Sequence, residues 1–180
     1  LHQIPNALAA AAVGFAVGLS TESISAALST AENKSKWRME LEELSETLLI
    51  NDCYNANPES VIAALRTLAL LTQERGGSSW AILGKMHELG ESSASEHARV
   101  GKIAHDIEID HLLAVGEPTY LSDIESGETM AVSLLSKDQV GEYIQHFQPG
   151  DVVLVKASRA EKFETIVDEI RKVLKERSAL

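Results

Sequence analysis

The sequence is poor in aromatic residues and in cysteine. Aromatic residues make up only 4 % of its 180 residues, so a hydrophobic core has to be built mainly from Ala, Val, Leu and Ile. Cys53 is the one cysteine, which excludes a disulfide within the chain and is compatible with a reducing compartment. The length suits one ordinary domain, or one domain together with part of another.

Cationic residues are also scarce. The 16 Lys and Arg residues face 27 Asp and Glu residues, which gives a net charge of -11. Such a chain repels nucleic acid and anionic membranes, although a few local cations can still bind one phosphate-bearing ligand. The apolar residues 7–19 are too few to span a bilayer and lack a basic flank, so we interpret them as a packed helix. We expect no nucleic acid partner and no membrane insertion.

Motifs that bind phosphate or supply a nucleophile are absent from the sequence. It contains no GxxxxGK(S/T) loop, no GxGxxG fingerprint and no GxSxG elbow. His87 and His97 are not spaced as metal ligands, and we predict no metal ligand in this chain. An activity that needs ATP would have to take its phosphate loop and its magnesium ligands from elsewhere.

Two segments of different character follow each other along the chain. Residues 5–18 and 21–30 are predicted helices, the second capped by Ser20, and the polar residues 33–36 are predicted to form a linker and a domain boundary. After the linker, short strands alternate with helices, which is typical of βαβ units and predicts an α/β fold with a mainly parallel sheet. Strands are predicted at residues 39–42, 47–50, 80–83, 111–115, 130–134 and 151–156, and helices at 58–74, 94–107, 137–147 and 161–175.

Polar residues concentrate in three loops that follow predicted strands. The carboxyl ends of parallel strands share one edge of a sheet, and open α/β sheets bind their ligands there. The first loop contains Asp52, Tyr54, Asn55 and Asn57, whose carboxylate and amides suit sugar hydroxyls, a neutral polar ligand or a peptide. Asn57 before Pro58 is equally well explained as the cap of the next helix.

The other two loops carry charged residues. Lys85, His87 and Glu88 in the second loop are candidates for binding or proton transfer, or they form a solvated loop ahead of a helix. Lys156 and Arg159 in the third loop suit a carboxylate or a phosphate, or they only offset the negative field of an acidic domain. For both loops the two interpretations stay open.

Arg38 stands apart from these loops, in the linker beside Trp37 and Met39. An arginine in a linker is usually solvated. At a hinge, its guanidinium can also reach an anion that is bound between two domains.

Five segments together resemble the Mur ligase family, in the branch that adds D-alanyl-D-alanine. Residues 51–58, NDCYNANP, resemble the NDxYNANP signature, which is the most specific of the five. The others are similar, in the family's order, to HNxxNALAA (residues 2–9), GRME (37–40), GDMxELGE with a later His (84–91 and His97) and VLVKGSR (153–159). The resemblance covers nearly the whole chain. The family's pattern is not kept at Gln3, Trp37, Lys85 and Ala157.

The resemblance implies an architecture and an activity. Residues 1–35 would be the helical end of a central ATP-binding domain, and residues 36–180 a Rossmann-like carboxy-terminal ligase domain. The implied enzyme is a cytoplasmic amide ligase of peptidoglycan synthesis, and so of cell shape and division. It would phosphorylate the carboxylate of UDP-N-acetylmuramoyl-tripeptide, and the amine of D-Ala-D-Ala would attack the acyl phosphate. Its N-terminal and central domains would be needed, so we expect this chain to be inactive by itself.

The resemblance also implies roles for single residues. Asn6 would face the adenine, Asp52 the ribose with Tyr54 also at the ATP site, and Arg38 the ATP phosphates as the catalytic cation. The implied cofactors are ATP and Mg2+, whose ligands would lie mostly outside this chain. The candidates for substrate binding are Asn55, Asn57, His87, Glu88, Lys156, Ser158 and Arg159.

Two other functions compete with this interpretation. One is another Mur-type amino-acid ligase or a folylpolyglutamate synthase, which the NANP motif in residues 55–58 disfavours and the choice of amine would separate. The other is a non-catalytic α/β module that binds a nucleotide or a peptide, which requires the first thirty residues to pack within the same domain. A generic structural domain is disfavoured because the polar motifs cluster at one edge of the sheet.

Overall fold

The computed structural model describes residues 4–31, 36–124 and 130–177. The chain divides into two compact units, Leu1–Ser35 and Lys36–Leu180. Apart from Lys36, the predicted linker at residues 33–36 lies outside the described residues, as do His2 and Gln3. The assignment of the two units to a central and a carboxy-terminal domain stays a prediction.

The first unit is a pair of helices. Helix α1 spans Ile4–Ala16 and helix α2 spans Thr21–Ser29. Ser20 caps α2 as predicted, because its hydroxyl accepts a hydrogen bond of 3.2 Å from the backbone N–H of Ser23. The alanine-rich α1 and the small residues of α2 leave many side chains of both helices exposed.

The second unit is built around one sheet. In the described residues the sheet has six strands in the order β1-β2-β6-β3-β4-β5, and every pairing is parallel except that of β1 with β2. The strands are β1 Glu40–Leu44, β2 Thr47–Asp52, β3 Ser79–Leu83, β4 His111–Val115, β5 Met130–Leu134 and β6 Val152–Lys156. The helices are α3 Pro58–Arg75, α4 Ser93–Asp106, α5 Gly141–Ile144 and α6 Glu164–Arg177. The predicted α/β fold with a mainly parallel sheet and flanking helices is confirmed.

Helices cover both faces of the sheet. Leu65 and Leu68 of α3 and Val100 of α4 pack on one face, while Ile166 and Ile170 of α6 pack on the other. The strands β3 and β6 are buried along their whole length, as continuous apolar strands in the centre of a parallel sheet should be. Within the described residues, no helix combines the length and the apolar character that crossing a membrane requires.

Strand β1 is half exposed, as predicted, but its apolar side chain Leu41 faces solvent while two of its glutamates face inward. Leu41 is 57 % exposed, whereas Glu40 and Glu42 are partly buried. Glu40 accepts a hydrogen bond from Asn51, and Glu42 forms an ion pair with Arg171. These polar partners hold the two carboxylates on the inner side of an edge strand.

The prediction of one helix at residues 137–147 was wrong. The segment is a 3-10 turn, Lys137–Val140, followed by the four-residue helix α5. The segment starts where predicted, with a capping box in which the side chain of Gln139 accepts from the backbone N–H of Ser136, but its α-helical part is only four residues long. Gly141 at the junction is a poor helix former.

Helix α6 begins three residues later than predicted. Lys162 takes a left-handed backbone conformation, with φ 53°, and lets Phe163 enter the core ahead of the helix. The segment between β6 and α6 therefore stays a loop. It adds a 3-10 turn, Arg159–Glu161, to the carboxyl edge of the sheet.

Candidate functional site

Three loops meet at the carboxyl edge of the central strands. We call residues 53–57 after β2 the first loop, residues 84–89 after β3 the second loop and residues 157–163 after β6 the third loop. Because β6 lies between β2 and β3, the third loop lies between the other two. The predicted convergence of the three loops on one edge of the sheet is confirmed.

Ser158 joins all three loops. Its hydroxyl donates to the carbonyl of Ala56 in the first loop, at 3.3 Å, and accepts from the backbone N–H of His87 in the second loop, at 2.9 Å. Its own backbone N–H donates to the carbonyl of Lys85 at 3.1 Å. The side chain is only 4 % exposed, so Ser158, predicted as a substrate ligand, orders the loops from inside.

Asp52 and Lys156 form a buried ion pair between neighbouring strands. The two residues are register partners on β2 and β6, and their side chains meet at 2.5 Å. Lys156 also donates to the carbonyl of Asn55 at 2.8 Å, and the other oxygen of Asp52 accepts from the backbone N–H of Met39 at 3.1 Å. Lys156, predicted as a cation at the surface of the edge, is 2 % exposed and is engaged inside the sheet.

Two arginines lie over aromatic rings beside the first and third loops. The guanidinium of Arg38 is 4.0 Å from the centre of the Tyr54 ring, and that of Arg159 is 4.2 Å from the centre of the Trp37 ring. The chain segment that carries Arg38 is fixed to the first loop, because the N–H of Tyr54 donates to the carbonyl of Trp37 at 2.9 Å. The structure thus brings Arg38, Tyr54 and Arg159 to the same edge as Asp52.

Arg159 also holds the start of α6. It donates to Glu164 at 2.7 Å. Burial raises the pKa of the Glu164 carboxyl, but the hydrogen bond from Arg159 and a backbone hydrogen bond outweigh burial, so the pKa lies below its ordinary value. Glu164 is therefore ionised at neutral pH and keeps Arg159 beside the Trp37 ring.

The second loop directs polar side chains outward. Lys85 is 45 % exposed and lies 3.9 Å from the carboxylate of Glu117. His87 is 41 % exposed, and its Nε2 contacts Glu161 of the third loop at 2.5 Å. Glu88 is exposed and has a left-handed backbone, with φ 66°. These three candidates lie on the surface that the loop presents at the edge.

The two asparagines of the first loop differ in what they contact. Asn57 caps α3, because its side-chain oxygen accepts from the N–H of Ser60 at 2.9 Å while the Ser60 hydroxyl accepts from the N–H of Asn57 at 3.1 Å. The capping interpretation of Asn57 is therefore the one that the structure shows. Asn55 is exposed, and its side-chain oxygen accepts from the N–H of Ala56 at 2.8 Å.

Asn6 belongs to the first unit. It lies in the first turn of α1 and is exposed. Its predicted contact with adenine needs parts of a nucleotide site beyond the second unit, and the prediction stays open.

Three residues to which the sequence analysis gave no site role support the second loop. His97 of α4 accepts a hydrogen bond from the N–H of Met86 at 2.9 Å, and Tyr120 donates to the carbonyl of Gly84 at 2.9 Å. Glu117, which follows β4, lies beside Lys85. The fourth loop of the edge, after β4, was predictable from the same rule as the other three, whereas the inward direction of His97 had no signal in the sequence.

The site offers binding groups rather than a nucleophile. Burial raises the pKa of the Cys53 thiol far above its ordinary value, so this thiol is not a nucleophile. Among the described residues, no group of three or more His, Cys, Asp and Glu side chains could hold a metal ion. Exposed cations, amides and an aromatic ring at one edge suit a ligand that combines negative charge with polar, uncharged groups.

The Mur ligase, glutamate ligase domain family matches residues 37–159, which include the first and second loops and the start of the third. The chain is 35 % identical to the UDP-N-acetylmuramoyl-tripeptide–D-alanyl-D-alanine ligase of Mycobacterium tuberculosis over 191 aligned residues, covering 94 % of this chain and 38 % of the relative. It is 33 % identical to the ligase of the same name from Escherichia coli, covering 92 % and 36 %.

A solved structure agrees with the sequence relatives. A crystal structure of MurF from Acinetobacter baumannii is similar with a TM-score of 0.83 and 29 % identity, over 95 % of this chain and 38 % of that one. The chain thus spans little more than a third of the length of these similar proteins.

Proposed function

Since this chain belongs to the Mur ligase, glutamate ligase domain family, we propose that it is the carboxy-terminal part of an ATP-dependent ligase that adds D-Ala-D-Ala to UDP-N-acetylmuramoyl-tripeptide. The observation that carries the proposal is the junction of the three loops. Residues 51–58, 84–91 and 153–159, which resemble the D-alanyl-D-alanine-adding branch, are the segments that Ser158 and the Asp52–Lys156 pair bring together. The names of the two relatives, which cover most of this chain, support the same substrate.

The proposed reaction forms an amide through an acyl phosphate. The tripeptide carboxylate takes the γ-phosphoryl group of ATP, the amine of D-Ala-D-Ala attacks the acyl carbon, and inorganic phosphate leaves. The contribution of this chain is to hold the amine substrate and part of the nucleotide in place, and to offset phosphate charge. The phosphate loop and the magnesium ligands are proposed to belong to other domains of the same protein. The whole protein is proposed to act in the cytoplasm and to need Mg2+.

The nucleotide is proposed to contact Asn6, Arg38, Asp52 and Tyr54. Asp52 keeps acceptor capacity for a ribose hydroxyl, because each carboxylate oxygen has two lone pairs, while Met39 donates to one oxygen and Lys156 to the other. Arg38 has the charge for the ATP phosphates and stands over the Tyr54 ring. In this proposal Lys156 does not touch the nucleotide, but fixes the carboxylate of Asp52.

The amine substrate is proposed to lie over the second loop. His87 and Glu88 are exposed on this loop and Asn55 is exposed on the first loop, while the cation of Arg159 suits the carboxylate of a dipeptide. Ser158 is proposed to act on the substrate only through the loops that it joins, and the side-chain oxygen of Asn57 is taken by the helix cap.

The test is phosphate release by the full-length protein. With ATP, Mg2+ and UDP-N-acetylmuramoyl-tripeptide present, we expect release that depends on D-Ala-D-Ala and not on diaminopimelate, lysine or glutamate. The 180-residue chain under the same conditions is the control, and we expect it to release none. Release with another amine would replace the substrate assignment. Turnover by the 180-residue chain would overturn the proposal that the phosphate loop and the magnesium ligands belong to other domains.

A further inference from the structure

The backbone of the second loop is held on two sides. On the side of β6, the N–H of Gly84 donates to the carbonyl of Lys156 at 3.0 Å, and Ser158 takes the carbonyl of Lys85 and the N–H of His87. On the side of α4, two side chains bind the loop: His97 accepts from the N–H of Met86, and Tyr120 donates to the carbonyl of Gly84. The peptide groups of the loop are therefore fixed from both sides, and the group between Lys85 and Met86 is bound on both at once.

His97 is oriented by a second hydrogen bond. Its Nδ1 contacts the backbone carbonyl of Ser93, one turn earlier on α4, at 2.6 Å. A carbonyl can only accept, and the N–H of Met86 can only donate, so Nδ1 carries the proton and Nε2 is the acceptor. The ring is fully buried, so its two nitrogens have fixed and different partners.

Tyr120 packs against the same ring. The two rings meet edge to face, with their centres 4.9 Å apart. A Cβ atom at Gly101 of α4 would lie 1.7 Å from the carbonyl oxygen of Tyr120, so the helix and the segment that carries Tyr120 touch through their backbones. The pair of side chains thus stands on a rigid base below the loop.

The hydrogen bonds of His97 and Tyr120 to the second loop determine which of its side chains face outward. Met86 is fully buried between Lys85 and His87, and both of its neighbours are about 40 to 45 % exposed. Without the bond from the Met86 N–H to His97, that amide would be a buried donor with no acceptor, and the peptide would turn to find one. A rotation there would redirect Lys85 and His87 together.

We propose that His97, supported by Tyr120, is a positioning residue that sets the second loop for the amine substrate. The proposal rests on the proposed function. It assigns a role in substrate binding to His97, which is buried and cannot contact a ligand itself. His97 acts through the N–H of Met86, so its effect falls on the substrate held by the second loop and not on the nucleotide.

Hydrogen exchange of the Met86 amide in the 180-residue chain tests the contact without turnover. His97→Leu removes the acceptor. We expect the Met86 amide to exchange about tenfold faster than in the parent chain, after both rates are normalised to the amides of helix α4. His97→Gln keeps an acceptor near the position of Nε2, and we expect exchange within about threefold of the parent chain. Equal exchange in the Leu variant and the parent would overturn the contact.

Steady-state kinetics of the full-length protein test the role. We expect His97→Leu to raise the Michaelis constant for D-Ala-D-Ala on the order of tenfold or more and to leave that for ATP unchanged, with recovery in His97→Gln. Val100→Ala removes buried atoms from the same helix without a bond to the loop, and should lower the melting temperature only.

The two proposals can fail separately. A parent protein with no turnover of D-Ala-D-Ala would sink the proposed function, whereas the exchange experiment would still decide the contact. If the parent protein turns over D-Ala-D-Ala but His97→Leu raises the Michaelis constants for ATP and D-Ala-D-Ala equally, the proposed function stands and the positioning role is overturned.

Discussion

At the scale of single residues, Asp52 and Lys156 were predicted to bind ligands, and the structure shows that they form a buried ion pair with each other. Removing one member of a buried pair leaves an uncompensated charge, which costs about 3–5 kcal/mol. A substitution at Asp52 therefore acts on the fold as well as on any nucleotide.

The pair yields a prediction on stability. We expect Asp52→Ala to lower the free energy of unfolding by about 3 kcal/mol or more, because Lys156 stays buried at 2 % exposure. Replacing both residues, as Asp52→Ala with Lys156→Met, should recover most of this loss. Urea unfolding followed by circular dichroism measures each variant.

A matched control uses an ion pair at the surface. Glu43 binds Arg75 at 2.6 Å but is 53 % exposed, so Glu43→Ala should cost at most about 1 kcal/mol. A loss for Asp52→Ala no larger than that of the control would show that the pair does not stabilise the fold.

The sequence located most of the residues of the edge but not their partners. Strand ends and polar loops indicated Asp52, Arg159 and the second loop, and all of them lie at the predicted edge. The pairing of Asp52 with Lys156 follows from β2 lying beside β6, and a strand order is not encoded in local periodicity. Ser158 was predicted to bind substrate, whereas the structure buries it. Its burial depends on loops more than 70 residues away, which local sequence does not reveal.

At the scale of elements, helix α3 links the first loop to the core. Its boundaries were predicted to within one residue, since Pro58 starts it and Gly76 ends it in a left-handed conformation. The segments at residues 137–147 and 161–163 were predicted less well, because Gly141 is a poor helix former in the first and Lys162 takes a left-handed conformation in the second. Apolar periodicity reports burial, and such local backbone preferences leave no trace in it.

The cap of α3 separates two roles of Asn57. We expect Asn57→Ala to lower the free energy of unfolding by about 1 kcal/mol, because the N–H of Ser60 loses its acceptor. Asn57→Asp keeps an oxygen in place and should unfold like the parent chain, as measured by thermal denaturation.

The kinetics of the Asp variant then decide whether Asn57 has a second role. If its amide nitrogen binds substrate, the full-length Asn57→Asp protein should show a raised Michaelis constant for D-Ala-D-Ala at unchanged stability. An unchanged constant would reduce Asn57 to a helix cap. Ser60→Ala is the matched control, because it removes the hydroxyl that accepts from the N–H of Asn57 and donates to its carbonyl but leaves the Asn57 side chain in place.

At the scale of the whole molecule, the two units differ in how they bury apolar surface. Every member of the two hydrophobic clusters belongs to the second unit. In the first unit, Leu8, Val13, Phe15 and Val17 are each at least 64 % exposed. A helical pair of this kind does not bury enough surface to be stable by itself.

This difference predicts the effect of a deletion. A chain of residues 36–180 removes no member of either cluster, so we expect it to fold and to melt within about 3 °C of the 180-residue chain. Differential scanning calorimetry measures both. A shortened chain that fails to fold would make the first unit part of the same domain, as the competing interpretation of a free binding module requires.

The bonds of Ser158 bear on how such a domain can be redesigned. A graft that exchanges only the second loop for that of a related domain has to place the carbonyl of residue 85 and the N–H of residue 87 where Ser158 binds them. Ser158 would still join the first and third loops through Ala56, but a second loop with another backbone path would no longer be held to them. Under the proposed function, substrate choice would depend on the three loops together, and they would have to be transplanted as one unit.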